Sequence, residues 1–313
     1  MAPSRLLAAA ALLAAGAGCR RGTEREVPAA AVRPATPDHL PGPLPRFDEL
    51  AFVPSDVEAV LRADLHALGA ADPSFALVWP GALAHERPEL AALLARAGIA
   101  IPDIDRLYFA VGADFGNSGA YLAAITGPFE SARVADALAR TGAASSDIDG
   151  VRVWRVRLGE GAGGVALAPG IVVAGALPLV ERSAALLAAA AQGRPTTDVR
   201  SGALADELGA IDPDAHGFAA ARLGPATRAR LGQEASGLSQ LRLDFTRRDG
   251  RVRIALRLAF TDEANARAAE ARLRALTQGA ERTRASLGVI AAWLDPALEI
   301  TRAGAVVSAR VVL

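Results

Sequence analysis

At 313 residues, with 34 basic side chains balancing 34 acidic ones, the chain has room for one large domain or two smaller ones and no net charge. A balanced chain lacks the basicity that drives nucleic-acid binding. With aromatics at 4% and Trp79, Trp154 and Trp293 far apart, there is also no ring platform for stacked bases or sugars. Lys is absent, so every basic residue is Arg, which reflects base composition of the gene more than a phosphate-binding surface.

Arg5 precedes an apolar run over residues 6–15. The run is too short for a permanent bilayer span and is built like an export signal. Gly16-Ala17-Gly18 then leads into Cys19, the single cysteine of the chain, which has no internal disulfide partner. A cysteine after small residues at this place resembles the lipobox of bacterial lipoproteins, with Gly16 where an aliphatic residue is usual. The resemblance implies cleavage before Cys19, leaving residues 1–18 as signal peptide, and a lipid on Cys19 that anchors the protein to the periplasmic side of a bacterial membrane. Arg20 stands where an inner-membrane retention Asp would be, and by the same resemblance this favours the outer membrane. Residues 19–46 form the anchored linker, with Pro28, Pro34, Pro37, Pro41, Pro43 and Pro45 among Ala, Arg, Thr and Glu. Rising about 3.1 Å per residue, such a chain holds a body several tens of ångströms from its anchor.

The body reads as two α+β halves, 47–197 and 198–313, built mainly of antiparallel strands packed with helices. Alternation over 57–68 predicts the first strand. Its opening, Pro54-Ser55-Asp56, resembles the start of repeat-containing envelope proteins of unknown function. Pro88 near its first turn and Gly98 after its last predict a helix over 88–97. Strands follow at 107–112 and 120–126, a helix at 130–140, strands at 151–158, 165–168 and 171–175, and a helix at 178–191. Residues 192–197 link the halves. The second half predicts a strand at 216–223, a short helix at 225–231, a hairpin, a long helix, a further helical segment at 282–294 and a last hairpin turning at Ala303-Gly304.

The central hairpin of that half carries the strongest local signal. Leu241, Leu243 and Phe245 alternate with polar residues, as do Ile254, Leu256 and Leu258 with Arg and Ala. Asp249-Gly250 between them suits a two-residue turn with positive φ at both positions. The turn predicts Arg248 opposite Arg251, Phe245 opposite Ile254, Leu243 opposite Leu256 and Leu241 opposite Leu258, and a solvated face bearing Asp244, Arg253 and Arg257. Thr261 is the expected N-cap of the helix that follows. Phe129-Glu130-Ser131-Ala132 and Phe260-Thr261-Asp262-Glu263 both stand at strand-to-helix junctions, which suggests duplication.

Strands of the first half are apolar on both faces, as at Tyr108 and Ala110 opposite Leu107 and Phe109. Such a sheet is covered twice, by its own helices and partner half or around a cavity for an apolar ligand.

No recognised catalytic pattern is present. Gly159 to Gly164 matches G-x-G-x-x-G, but a strand-like run follows where a dinucleotide site needs a helix, so it reads as a hairpin loop. Asp212, Asp214 and His216 bring metal-ligand chemistry together, within an Asp-Pro turn. Asp147-Ile148-Asp149-Gly150 lacks the rest of a calcium loop and reads as a turn. Arg62, Asp64 and His66 share one face of the first strand, an arrangement a charged relay also shows. His85-Glu86 lacks the second His of a zinc-protease helix.

The sequence therefore assigns one functional residue, Cys19 for lipidation, and no catalytic, cofactor or metal residue. The expectation is a non-catalytic envelope lipoprotein with a binding or scaffold role. Its partners are the membrane, through the lipid on Cys19, and an envelope protein or apolar ligand, with no nucleic acid. The alternative is a periplasmic carrier of a lipid or other apolar ligand.

Overall fold

The computed structural model describes residues 50–67, 94–113, 115, 120–158, 161–231, 237–248, 251–287 and 299–312. The fold is α+β. Twelve strands form one sheet among the described residues: β1 (Val57–Asp64), β2 (Arg106–Gly112), β3 (Tyr121–Thr126), β4 (Ser145–Ile148), β5 (Val151–Leu158), β6 (Gly161–Ala168), β7 (Ile171–Ala176), β8 (Gly217–Arg222), β9 (Leu238–Arg248), β10 (Arg251–Phe260), β11 (Glu299–Ala303) and β12 (Val306–Val312). Their order is β11-β12-β10-β9-β8-β1-β2-β3-β7-β6-β5-β4. The helices are α1 (Ser131–Arg140), α2 (Leu177–Ala191), α3 (Ala205–Gly209), α4 (Pro225–Leu231) and α5 (Glu263–Leu287).

The two halves meet through an antiparallel ladder between β1 and β8, with Leu61 opposite Ala219 and Arg62 opposite Phe218. One continuous sheet results. Outward from β1 the order is β2, β3, then β7, β6, β5 and β4; outward from β8 it is β9, β10, then β12 and β11. On each side a hairpin is followed by a helix, and the last strand of that side returns to lie beside the hairpin.

Alternation decides what covers each face. On one face of the first half Tyr108, Leu122, Ala124, Val153, Ala166 and Val173 pack under Leu179, Val180, Ala184 and Leu187 of α2. On the other, Trp154, Val165, Leu167 and Val172 pack under Val134, Ala137 and Leu138 of α1. The twofold cover expected of strands apolar on both sides is present, and helices of the same chain supply it. In the second half Glu270 of α5 accepts from Arg302 of β11 at 2.9 Å. Arg302 lies in one cross-strand row with Val307, Leu258 and Leu241, so α5 covers the same face as α1.

The β9–β10 register is the expected one: Arg248 opposite Arg251, Phe245 opposite Ile254, Leu243 opposite Leu256, Leu241 opposite Leu258. Asp249-Gly250 lies outside the described residues. The stop at Gly98 is likewise as read. Gly98 has φ +70°, and the Ile99 and Gly98 amides donate to the Leu94 and Ala95 carbonyls at 2.9 and 3.1 Å, the paired bonds of a glycine-ended helix. Of the helix expected over 88–97, residues 88–93 lie outside the described residues.

Several local expectations are corrected. The first strand ends at Asp64, because the Asp64 carboxylate accepts the Ala67 amide at 2.8 Å and starts a helical turn over 65–67. The glycine string is not a loop throughout: 161–164 belong to β6 and pair with 155–158 of β5. Glycine suits this strand because a Cβ on Gly164 would stand 3.0 Å from Leu177 Cδ1 and 3.1 Å from Val180 Cβ; its absence lets α2 lie close on the sheet. Ser145–Ile148, not expected as a strand, forms the β4 edge. Asp149 and Gly150 then turn with φ +51° and +92° into β5. Asp262 rather than Thr261 caps α5, its Oδ1 accepting the Asn265 amide at 2.8 Å. The segment at 282–294 is not separate at its start, since α5 runs unbroken through Leu287. In the last hairpin Ala303 pairs with Val306, which moves the turn to Gly304-Ala305.

Candidate functional site

The face under α2 changes character at the junction of the halves, and a cleft of about 350 Å³ opens there. Its walls come from Leu50 at the start of the body, Arg62 of β1, Phe218 of β8, Leu208 and Gly209 of α3, and the loop through Ile211, Asp212, Pro213 and Ala215. Arg62 and Phe218 are direct cross-strand neighbours. The Arg62 guanidinium lies 5.2 Å from the centroid of the Phe218 ring and donates through Nη2 to the Ala215 carbonyl. A cation over a ring face is attracted by the ring's quadrupole, so Phe218 and the loop together fix the arginine at the cleft floor.

The far wall is held by Asp198, which is 3% exposed. It accepts the Arg200 amide at 2.9 Å and Arg200 Nε at 3.0 Å, with a further bond from Nη2. Burial alone would raise the Asp198 carboxyl, but these bonds and the adjacent positive charge outweigh it and hold the group below the usual carboxylate range. Val199 donates to the Val53 carbonyl at 2.9 Å, and Asp198 bridges to Pro54. This ties the wall to the segment where the chain enters the body.

Next to Phe218 on β9 stands Asp244, only 7% exposed. This corrects the expectation that its face is solvated throughout. Thr246, on the same face, is 2% exposed. Asp244 Oδ1 is buried with no hydrogen-bond partner among the described residues. Burial pushes its carboxyl up; Arg253 and Arg242 pull it back, and Asp212 adds to the rise.

The structure separates most of the residues that the sequence grouped. Asp212 lines the cleft, where its Oδ1 accepts the Asp214 amide at 3.0 Å. Asp214 is exposed on that turn. The His216 ring lies 6.4 Å from that of Phe245, whose cluster with Leu61, Ala63 and Ala219 is on the opposite side of the sheet. Arg62 turns into the cleft, Asp64 caps a helical turn, and His66 meets Asp105 at 2.9 Å on the surface; the three make no relay. Asp147 accepts the Gly150 amide at 2.8 Å within a turn. Among the described residues no group of three or more His, Cys, Asp or Glu side chains is placed to hold a metal ion. Cys19, His85 and Glu86 lie outside the described residues. Phe218, Asp198 and Arg200 were not singled out by sequence. The one available signal was a large aromatic at the head of the alanine run 219–221.

No protein-family model matches the chain, and no curated protein matches it. Crystal form I of TP0453 is similar in structure, with a TM-score of 0.45, 14% sequence identity, and 84% of this chain and 92% of that chain covered. Crystal form III of TP0453 gives 0.44, 14%, 84% and 93%.

Proposed function

We propose that this chain is an exported, lipid-anchored protein of the bacterial envelope with a non-catalytic binding role. The observation that carries the reading is the placement of the only cysteine, Cys19, directly after Gly16-Ala17-Gly18 at the end of a short apolar run. Residues 20–46 support it, because they have the composition of a semi-extended tether. Among the described residues no helix is long and apolar enough to cross a membrane; attachment in this reading is through the lipid. Growth with a fatty-acid probe tests it: the wild-type chain takes up label and Cys19→Ala does not. Equal labelling of the two, or none of either, sinks the reading.

The cleft favours a second reading, a carrier of an apolar ligand. Leu50, Leu208, Ile211 and Phe218 give it apolar walls, with Arg62 and Asp212 as polar anchors. Pockets of this size and lining suit small amphipathic molecules. Mass spectrometry of an organic extract of the purified protein decides between them: one lipid class near one per chain makes it a carrier, and a clean extract leaves the tethered binding protein.

A further inference from the structure

The face that α2 covers in the first half continues into the second half, and among the described residues no long helix lies over it there, since α5 is on the other side. Arg242 of β9, Arg253 and Arg257 of β10 and Arg310 of β12 stand on this continuation. Arg242 is directly opposite Arg257, and Arg253 is directly opposite Thr246. Between the two arginines of β10 lies Ala255, which has Asp244 opposite it on one side and Arg310 on the other. Toward the outer strands the face is open: Arg310, Glu299 and Thr301 are exposed, as is Val312, at 45%, while Arg242, Arg253 and Arg257 farther in are half-buried. The acids near these arginines are Asp244, which is buried, Asp212 of the cleft loop, and Glu299, directly opposite Arg310.

Like charges directly opposite on neighbouring strands destabilise a sheet, so the Arg242–Arg257 pair is a local cost that an anion between the two guanidiniums would relieve. Arginine forks suit phosphate oxygens in particular. The chain outside the body says where such anions would come from. The described body begins at Leu50, and Leu50 lines the cleft on this same face, beside Arg62 and Phe218. A tether that ends there leaves this face within reach of the surface holding the anchor.

We propose that the arginine face of β9, β10 and β12 docks on the phosphate headgroups of an anionic lipid surface, with Arg242 and Arg257 as the central contact. The proximity of that surface rests on the tethered reading given above. Each basic side chain near such a surface adds modestly to binding, and tethering supplies the high local concentration that makes a weak contact effective.

The test uses residues 20–313, which keep every described residue and carry no acylated cysteine, so its failure is separate from failure of the labelling experiment. Sedimentation with phosphatidylcholine vesicles is compared with sedimentation when phosphatidylglycerol is mixed in. Binding is expected with the mixture only, to fall steeply with added salt, and to drop about tenfold or more in the Arg242→Gln, Arg257→Gln double variant. That variant is expected to unfold within a few degrees of the parent, because the repulsion it loses offsets the lost attraction of Arg242 for Asp244. Equal binding to neutral vesicles, no binding to either, or an unchanged affinity in the double variant overturns the proposal. Release from the mixed vesicles by millimolar inorganic phosphate at constant ionic strength also overturns it, in favour of a soluble-anion site.

Discussion

Arg62 of β1 and Phe218 of β8 face each other across the ladder that joins the two halves, with the guanidinium 5.2 Å from the ring centroid. The contact closes the cleft floor and bonds the strands on either side of the junction. Phe218→Ala is expected to destabilise the fold by about 3–5 kcal/mol, the usual cost of removing a buried Phe. Phe218→Leu keeps most of the apolar volume and is expected to cost about 1 kcal/mol. Urea unfolding of the two variants checks the order, and equal losses would mean that the ring's charge attraction matters more than its bulk.

Gly202 sits where no side chain fits. A Cβ there would overlap the Ser55 carbonyl oxygen and lie 2.8 Å from its carbon, both backbone atoms that cannot rotate away. Gly202→Ala is expected to destabilise by about 1–3 kcal/mol, as overpacking does. Because Ser55 follows the Val53 and Pro54 contacts to Val199 and Asp198, protease cleavage near residue 50 is expected to speed up in the same variant. A variant as stable as the parent would show that this close approach is not maintained in solution.

Asp244 is buried and its carboxyl is raised, chiefly by burial. A raised carboxyl binds its proton more tightly in the folded chain than in the unfolded one, so its contribution to stability is greatest below the usual carboxylate range and is lost as pH rises through the raised value. Asp244→Asn is therefore expected to unfold at a higher temperature than the parent at neutral pH, with the gap closing on acidification. Thermal unfolding across a pH series reads this directly. A less stable variant at neutral pH would mean that the surrounding arginines fully compensate the buried charge.

Asp198 has the opposite sign. Burial works to raise its carboxyl, but the Arg200 bonds outweigh burial and the folded value lies below the usual range. The stability it contributes is present above the unfolded value and is lost as pH falls through the folded one. Asp198→Ala is expected to lose about 1–3 kcal/mol at neutral pH, the usual worth of hydrogen bonds to a charged group, and to approach the parent in acid; urea unfolding at neutral and acid pH checks both. The cleft wall goes with it, so any lipid co-purifying with the parent is expected to be reduced in this variant.

Local pattern carried the secondary structure far. The alternation of Leu241, Leu243 and Phe245 with Ile254, Leu256 and Leu258 set the β9–β10 register, because a slip by one residue would turn every apolar side chain to the wrong face. Gly98 marked a helix end because its positive φ is open to glycine at little cost. The apolar residues on both faces of β2, β3 and β5 required two covers, and α1 and α2 supply them.

Short-range chemistry was less decisive where two neighbours could serve the same role. Thr261 and Asp262 are both good caps, and only the Asn265 amide in place shows that Asp262 takes it. Glycines at 161–164 read as a loop because glycine weakens an isolated strand; the approach of Leu177 and Val180 to Gly164 gives them a place in the sheet.

By itself the sequence determined the α+β class, the β9–β10 register and the apolar faces, since these follow from side-chain period and turn chemistry within a few residues. Only the tertiary structure decided that β1 pairs with β8 to make one sheet, that Asp212 and His216 lie on opposite sides of it, and that Asp244 is buried rather than solvated. Those outcomes depend on contacts between residues far apart in the chain. Period says which side of a strand is apolar, but the segment that comes to lie over a side is fixed by packing of the whole.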